Sequence, residues 1–279
     1  MISESIKRST LRVGRTIRTL IGERTYQRLL RTSSTQWFLR TGGFTGLPSR
    51  RLSSYDITQL HYREVEEALS IAILWVYDSQ IEGDIVEFGI GTGFSSQVIA
   101  RAMAVAQTSL PPRKLHLFDS FEGLPAATSQ VDRDSYEYRS GMWHAGLMKV
   151  LTPQQLSDAC ENIIGGDSIV IHAGWFADTV PQIPAGQKFG FIHFDGDLYQ
   201  STIDAIGGLL EAGAIANGAV ICFDDWNCGQ ADPNFGERRA WSELIERYQI
   251  QCSDWRAYST MGRSFFIHNY RRPVTDAAS

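Results

Sequence analysis

Several features are scarce in this chain of 279 residues, and each absence excludes a class of protein. No run approaches the roughly 18 consecutive apolar residues of a membrane-spanning helix. The four cysteines show none of the spacings of zinc sites or redox pairs, which indicates reduced thiols. The N-terminal stretch is basic but lacks the apolar run of a secretion signal. These absences predict a cytoplasmic protein without stable membrane insertion.

Charge is distributed unevenly along the chain. Residues 1–31 contain eight Lys or Arg and two Glu, whereas the rest has 18 basic and 29 acidic residues. An acidic body argues against nucleic acid as a partner. Apolar residues recur with helical spacing among the N-terminal arginines, so we predict a helical segment and linker over residues 1–55. This segment is expected to pack on its own chain or on a sister subunit of a homodimer. A helix lying on a membrane surface is the alternative.

From residue 56 onward the hydrophobic pattern alternates between strand and helix, which predicts one α/β domain over residues 56–272. The predicted strands are 84–88, 115–119, 168–173, 189–195 and 219–224, followed by a final hairpin. The predicted helices are 58–80, 95–107, 153–163, 201–213 and 237–248. This order favours a doubly wound, Rossmann-like and mostly parallel sheet of seven strands with an antiparallel last strand. The stretch 126–152 is too long for a simple connection, so we predict a lid or substrate insert.

The first strand leads into a glycine-rich turn, "FGIGTG", and then into a helix. Such a turn lets a ligand approach the backbone of Gly89, Gly91 and Gly93, while the helical amides from Ser95 onward point towards it. The spacing differs from the GxGxxG of nicotinamide binders, and Glu87 beside the turn would repel a pyrophosphate. Both observations favour S-adenosylmethionine, whose amino and sulfonium groups are positive. A tight turn without a ligand is the alternative.

Ligands of doubly wound sheets bind at the carboxyl ends of the strands. Asp119 ends the second strand, with Ser120 next to it, and its carboxylate suits the two hydroxyls of a ribose. Its alternative role is to cap the segment that follows. Trp175 follows the third strand and is suited either to stack on adenine or to fill the core. Tyr199 follows the fourth strand, and we place it in the cofactor pocket together with Asp195.

Three carboxylates, Asp195, Asp224 and Asp225, end two strands that we predict to be neighbours across the switch point of the sheet. Like charges this close together are costly unless a cation lies between them. Ligation by oxygen alone indicates Mg²⁺ or another hard divalent ion. The alternative is that Asp197 and Asp225 cap the following segments and that no metal binds.

Four motifs follow the glycine-rich turn in order: "HLFDSFEGLP", "GWFADTVP", "HFDGDLYQST" and "ICFDDWN". Together they resemble the macrocin O-methyltransferase family over about residues 80–245. The resemblance implies a class I methyltransferase fold that transfers methyl groups from S-adenosylmethionine to hydroxyls on sugars of natural products. It also implies that Asp195, Asp224 and Asp225 bind the divalent metal. The turn here lacks the arginine usual in antibiotic-pathway members, and the stretch after the aspartate pair is longer.

The resemblance further implies that Asp195 acts as the catalytic base on the acceptor hydroxyl. His144, which lies in the insert, is the second catalytic candidate, and a solvent-exposed loop histidine is its alternative. His172 and His193 fall within predicted strands and are interpreted as core residues. Other interpretations are a metal-dependent hydroxylase-like relative of the same fold and a non-catalytic subunit that binds the cofactor. The glycine spacing disfavours a nicotinamide oxidoreductase.

Overall fold

The computed structural model describes residues 54–108 and 110–272. The predicted helical segment over residues 1–55 therefore lies almost entirely outside the described residues, and its packing stays a prediction. By the density of internal contacts the chain divides into residues 1–57 and 58–279, and the sheet and the main cavity belong to the second unit. None of the helices within the described ranges is long and apolar enough to cross a membrane.

The sheet has the seven strands that the sequence predicts. In chain order they are β1 Asp84–Phe88, β2 Leu115–Asp119, β3 Ile169–Ala173, β4 Phe189–Phe194, β5 Ile215–Phe223, β6 Gln251–Tyr258 and β7 Gly262–Asn269. Their spatial order is β3-β2-β1-β4-β5-β7-β6. The first five strands pair in parallel, while β7 runs antiparallel to both β5 and β6. The doubly wound, mostly parallel sheet with an antiparallel end is thus confirmed.

Strand β5 begins earlier than the predicted residue 219. Its first two residues, Ile215 and Ala216, are fully buried, and the strand then passes through Asn217 and Gly218 before the main apolar run. Gly218 has φ +83°, a backbone conformation that interrupts a regular strand. The Asn-Gly pair resembles a turn in sequence, which is why the pattern placed the start of the strand after it.

The helices surround the sheet and supply the connections between its strands. They are α1 Ser54–Asp78, α2 Phe94–Ala106, α3 Gln130–Asp134, α4 Tyr136–Arg139, α5 Pro153–Ile164, α6 Phe176–Thr179, α7 Tyr199–Thr202, α8 Gly208–Ala212 and α9 Gly236–Tyr248. A π-helical turn, Ile203–Gly207, joins α7 to α8. Helices α3 and α4 lie within the predicted insert and have only five and four residues. Segments of one turn carry no usable hydrophobic period, so the sequence pattern did not predict them.

Two apolar layers cover the two faces of the sheet. One layer is built from α1, α2 and α5 and receives Ile85 of β1, while the other contains α8 and α9 and receives Val86. Successive strand residues point to opposite faces, so Ile85 and Val86 of β1 are buried on opposite sides of the sheet. The core therefore fixes the sheet rigidly and brings the carboxyl ends of β1 to β5 to one edge.

The strand order reverses between β1 and β4, and the crevice at such a reversal is where doubly wound folds bind ligands. β4 and β5, which carry the aspartates, are neighbours as predicted. The switch point itself, however, lies between β1 and β4 rather than between β4 and β5. The glycine turn and the aspartates of β4 consequently face each other directly across it.

Candidate active site

A cavity of about 800 Å³ opens at the carboxyl edge of the sheet. Its wall combines the glycine turn, the ends of β2 and β4, the segment after β5 and the insert. Six aspartates line it: Asp119, Asp132, Asp195, Asp197, Asp204 and Asp225. Within residues 54–108 and 110–272, no Lys, Arg or His lines this cavity. A wall of this charge attracts cationic ligands and disfavours phosphates.

The glycine turn is packed directly against the first aspartate motif. Gly89 has φ +79°, and a Cβ atom at this position would lie 1.7 Å from the backbone oxygen of Asp195. The amide of Gly89 donates to the Phe118 carbonyl over 3.0 Å, and the amide of Asp195 donates to the Phe88 carbonyl over 2.8 Å. Only glycine fits here, because both the backbone conformation and the close approach exclude a side chain. The turn and Asp195 are thus held as one rigid unit.

Asp119 supports the turn from the end of β2. Its Oδ2 accepts a hydrogen bond from the Ile90 amide at 2.8 Å, and its Oδ1 accepts one from the Phe121 amide at 2.6 Å. Burial raises the pKa of this carboxyl, although the two amides act in the opposite direction. Asp119, Ser120 and the backbone of Gly91 all line the cavity, as expected for cofactor-binding groups. Contact of Asp119 with a ribose stays a prediction.

Glu87 lies behind the glycine turn and does not line the cavity. Its side chain is fully buried: the Ser96 hydroxyl donates to Oε2, and Oε1 lies 2.9 Å from His193 Nδ1. Two other predicted contacts are also absent from the lining: Gly93, which is the N-cap of α2, and Ser95, which is buried within α2. The geometry therefore gives Glu87 a supporting place beneath the turn, where it fixes a buried histidine.

Of the three remaining candidate site residues, Trp175 faces the cavity, whereas Tyr199 and His144 do not. Trp175 lines the cavity with 40% of its surface exposed, as a stacking role requires. Tyr199 is absent from the lining, because its hydroxyl donates to Glu243 and its ring lies under the guanidinium of Arg239. His144 is exposed and also absent from the lining, with Nδ1 3.1 Å from the neighbouring backbone oxygen.

Three aspartates form a compact group at the ends of β4 and β5. One carboxylate oxygen from each of Asp195, Asp197 and Asp225 lies within 4.8 Å of the others. Burial, followed by the charges of neighbouring aspartates, raises the pKa of Asp195 and of Asp197 well above the usual range. The same causes raise the pKa of Asp225 to about 6. Oxygen donors under this mutual repulsion form a site that suits a hard divalent cation.

Asp197 was expected only as a cap, yet the structure places it in this group instead of Asp224. Its φ of +58° is uncommon for a residue with a side chain, and such strain concentrates at functional sites. The sequence "DGD" offered a signal, because it places a second acid two residues after Asp195 at the end of a predicted strand.

Asp224 points towards the buried histidine. Its Oδ1 is buried without a hydrogen-bond partner among the described residues, and it lies 4.0 Å from His193 Nε2. Burial lowers the pKa of His193, but the negative charges of Asp224 and Glu87 outweigh burial and raise it to about 10. The imidazole of His193 therefore lies between Glu87 of β1 and Asp224 of the aspartate pair.

The insert is fastened to both aspartate motifs by two buried acids that the sequence pattern did not single out. The carboxylate of Asp132 accepts hydrogen bonds from the Tyr199 amide at 2.8 Å and from the Gln200 amide at 3.2 Å. The carboxylate of Glu137 accepts one from the Gly229 amide. The insert also supplies apolar lining, including Met142, Trp143, Leu147 and Met148. It thus forms one wall of the cavity.

The strand order, the antiparallel β7 and the glycine turn at the switch point define the class I methyltransferase fold. Two solved structures share this fold: the O-methyltransferase NovP and the calicheamicin methyltransferase CalS11. NovP is 20% identical with a TM-score of 0.59, covering 95% of this chain and 99% of NovP. CalS11 is 21% identical with a TM-score of 0.57, covering 77% of this chain and 80% of CalS11.

Sequence comparison then gives the family. Residues 43–257 match the profile of macrocin-O-methyltransferase (TylF). A Streptomyces olivaceus protein, 8-demethyl-8-(2,3-dimethoxy-alpha-L-rhamnosyl)-tetracenomycin-C 4'-O-methyltransferase, is 30% identical over 66% of this chain and 69% of its own length. The demethyldecarbamoylnovobiocin O-methyltransferase of Streptomyces niveus is 26% identical, and the match spans 61% of this chain and 63% of that relative. The chain belongs to the macrocin-O-methyltransferase family and is an O-methyltransferase, so the resemblance is confirmed.

Proposed function

We propose that this enzyme transfers the methyl group of S-adenosylmethionine to a sugar hydroxyl of a glycosylated small molecule, with the help of Mg²⁺. The observation that carries the proposal is one cavity that joins the glycine turn and Asp119 to the aspartates after β4 and β5. The names of the two Streptomyces relatives support an acceptor of this chemical class.

The donor half of the cavity fits S-adenosylmethionine. The backbone at Gly89 and Gly91 leaves room for close approach, while Asp119 and Ser120 offer acceptors for ribose hydroxyls. Trp175 presents an exposed ring for the adenine. When bound, the sulfonium supplies an already activated methyl group, so the residues of the chain need only orient it and exclude water.

The acceptor half fits a divalent cation. We assign the cation to Asp195, Asp224 and Asp225, the ligands that the family resemblance implies. The buried Oδ1 of Asp224, which has no hydrogen-bond partner among the described residues, supports this assignment. When bound, the metal lowers the pKa of a coordinated hydroxyl. Asp197 remains as the residue that takes the proton, since it lines the cavity and one of its carboxylate oxygens lies within 4.8 Å of those of Asp195 and Asp225. Asp195, the base implied by the family resemblance, is then committed to the cation.

The experiment combines binding with turnover. Calorimetry should show that S-adenosylhomocysteine binds and that NAD does not. With S-adenosylmethionine and Mg²⁺, mass spectrometry of a panel of glycosides with free sugar hydroxyls should reveal a methylated product. Tight binding of NAD in place of S-adenosylhomocysteine would overturn the donor assignment.

Two variants separate the roles of the aspartates. Asp224→Asn should weaken Mg²⁺ binding. Asp197→Asn should weaken Mg²⁺ binding less than Asp224→Asn does, but at saturating Mg²⁺ it should lower kcat by about 10²–10⁴-fold, the range for a positioned general base. If Asp197→Asn instead loses Mg²⁺ binding and Asp224→Asn does not, the two assignments are reversed.

A further inference from the structure

Glu237, the second residue of α9, is a buried carboxyl group to which the proposed reaction gives no role. Only 1% of its surface is exposed. Both Oε1 and Oε2 are buried, and neither has a hydrogen-bond partner within the described part of the chain. Buried polar groups are almost always hydrogen-bonded, so a carboxyl group with two orphaned oxygens requires an explanation.

The surroundings of Glu237 make it more costly to bury. Burial, and then interactions with the charges of Asp225, Asp224, Asp195 and Asp197, raise the pKa of the Glu237 carboxyl well above its usual range. All of these interactions are repulsive. The imidazole of His193 is also buried, but its Nδ1 is already paired with the carboxylate of Glu87. Five carboxyl groups therefore share one region that lacks enough positive charge to balance them.

The local sequence does not explain Glu237. An acid in the first turn of a helix usually accepts hydrogen bonds from backbone amides, but Glu237 accepts none. The two arginines that follow it are turned away. Arg238 donates to the Trp226 carbonyl at 2.7 Å, and Arg239 donates to Glu243 at 2.8 Å. No group among the described residues therefore satisfies the Glu237 carboxyl.

We propose that Glu237 is a positioning residue of the cation site: a buried negative charge that raises the affinity of the aspartates for a divalent cation. The proposal rests on the proposed function, since it requires that a cation binds there. In a region of low dielectric constant, an additional carboxylate strengthens the attraction for a doubly charged ion. The same carboxylate destabilises the protein when the cation is absent, because only repulsion remains.

The test compares Glu237→Gln with Glu246→Gln, a change of the same type at an exposed position on the same helix. The Mn²⁺ dissociation constant is measured by electron paramagnetic resonance, and Tm is measured in EDTA and in excess Mg²⁺. Glu237→Gln should weaken Mn²⁺ binding by about 10–100-fold, the effect typical of groups that support metal ligands. It should also raise Tm in EDTA and reduce the increase in Tm on adding Mg²⁺. Glu246→Gln should change none of these.

Two results would overturn the proposal. One is a Glu237→Gln protein with wild-type Mn²⁺ affinity. The other is a Glu237→Gln protein that is less stable than wild type in EDTA or fails to fold. If the carboxylate only repels its neighbours, replacing it by the amide should not reduce stability. Glu237→Met, which removes the charge at similar volume, should give the same increase in Tm. A wild-type protein that binds no Mn²⁺ would instead overturn the cation assignment of the proposed function itself.

Discussion

The carboxylates on the two sides of the active-site cavity have opposite surroundings. On the side of β1 and β2, Glu87 and Asp119 each have hydrogen-bond partners for both oxygens. On the side of β4 and β5, Asp195 and its neighbours mainly repel one another, and Asp224 and Glu237 keep oxygens without partners among the described residues. The donor side is thus completed by the chain itself, whereas in the proposed function a cation completes the acceptor side.

This difference has an energetic consequence. A buried carboxylate with partners stabilises the fold, and removing it leaves those partners orphaned. A buried carboxylate surrounded by like charges destabilises the fold until a cation binds, so removing it relieves repulsion. Mutations of the same chemical type should therefore have opposite effects on the two sides.

The largest effect should come from removing the cation while the donor side stays intact. EDTA should abolish methyl transfer and added Mg²⁺ should restore it. Asp195→Asn, which removes a proposed cation ligand, should raise the Mg²⁺ concentration that activity requires. The affinity for S-adenosylhomocysteine, measured by calorimetry, should not change, because its groups belong to β1 and β2. Full activity in EDTA would show that the aspartates are not a metal site.

The next largest effect is expected where the donor side contacts the acceptor side, at Gly89 and Asp195. Gly89→Ala would place a methyl group against the backbone oxygen of Asp195, which must then move. A displacement of about 1 Å lowers kcat/KM by roughly 10²-fold. The matched control is Gly141→Ala, because Gly141 has φ +76° and a Cβ atom there would meet nothing within 4 Å. Equal losses in both variants would mean that backbone strain alone is responsible.

A somewhat smaller effect should test the donor side alone. Asp119→Ala removes acceptors for the ribose and for the Ile90 amide. It should weaken S-adenosylhomocysteine binding by about 1.5–3 kcal/mol, the value of hydrogen bonds to a charged group. Asp119→Asn, which keeps one acceptor oxygen, should lose less. Unchanged affinity in a folded Asp119→Ala protein would contradict the ribose assignment.

A comparison of stabilities should then reveal the opposite signs directly. In EDTA at neutral pH, Glu87→Gln breaks the buried pair with His193, and the expected loss of about 3–5 kcal/mol lowers Tm by about 6 °C or more. Asp225→Asn removes a carboxylate whose neighbours repel it, so Tm should rise in the same buffer. Calorimetric scans of both variants check this. A decrease in Tm for both variants would contradict the opposite effects on stability expected for carboxylates on the two sides of the cavity.

The smallest effect concerns His172, which lies on β3, the strand next to β2. Burial, and then the nearness of His116, lowers the pKa of His172 to about 4, below its value near 6.5 in the unfolded chain. The unfolded state therefore binds more protons between these values, and stability should fall as the pH decreases from about 6.5 to about 4. His172→Gln should flatten this part of the Tm profile, whereas a change at the exposed His268 should not. An unaltered slope in His172→Gln would assign the pH dependence to other groups.

The sequence by itself determined the sheet, the glycine turn and the family. Hydrophobic periodicity and turn residues are local properties, so β1 and β2 were predicted with their observed bounds. The motif "FDGD" likewise identified an aspartate-bearing strand end. These features depend on a few consecutive residues, and no distant contact is needed to specify them.

Only the tertiary structure decided the direction and the partners of the carboxylates. Glu87 alternates with Val86 and Phe88, so it faces α2 and meets Ser96 there instead of pointing along the strand into the cavity. Glu237 follows Asp225 by twelve residues, and Asp132 meets Tyr199 across 67 positions of the chain. These pairs depend on strand order and on the path of the loops, and the periodicity of a single segment specifies neither.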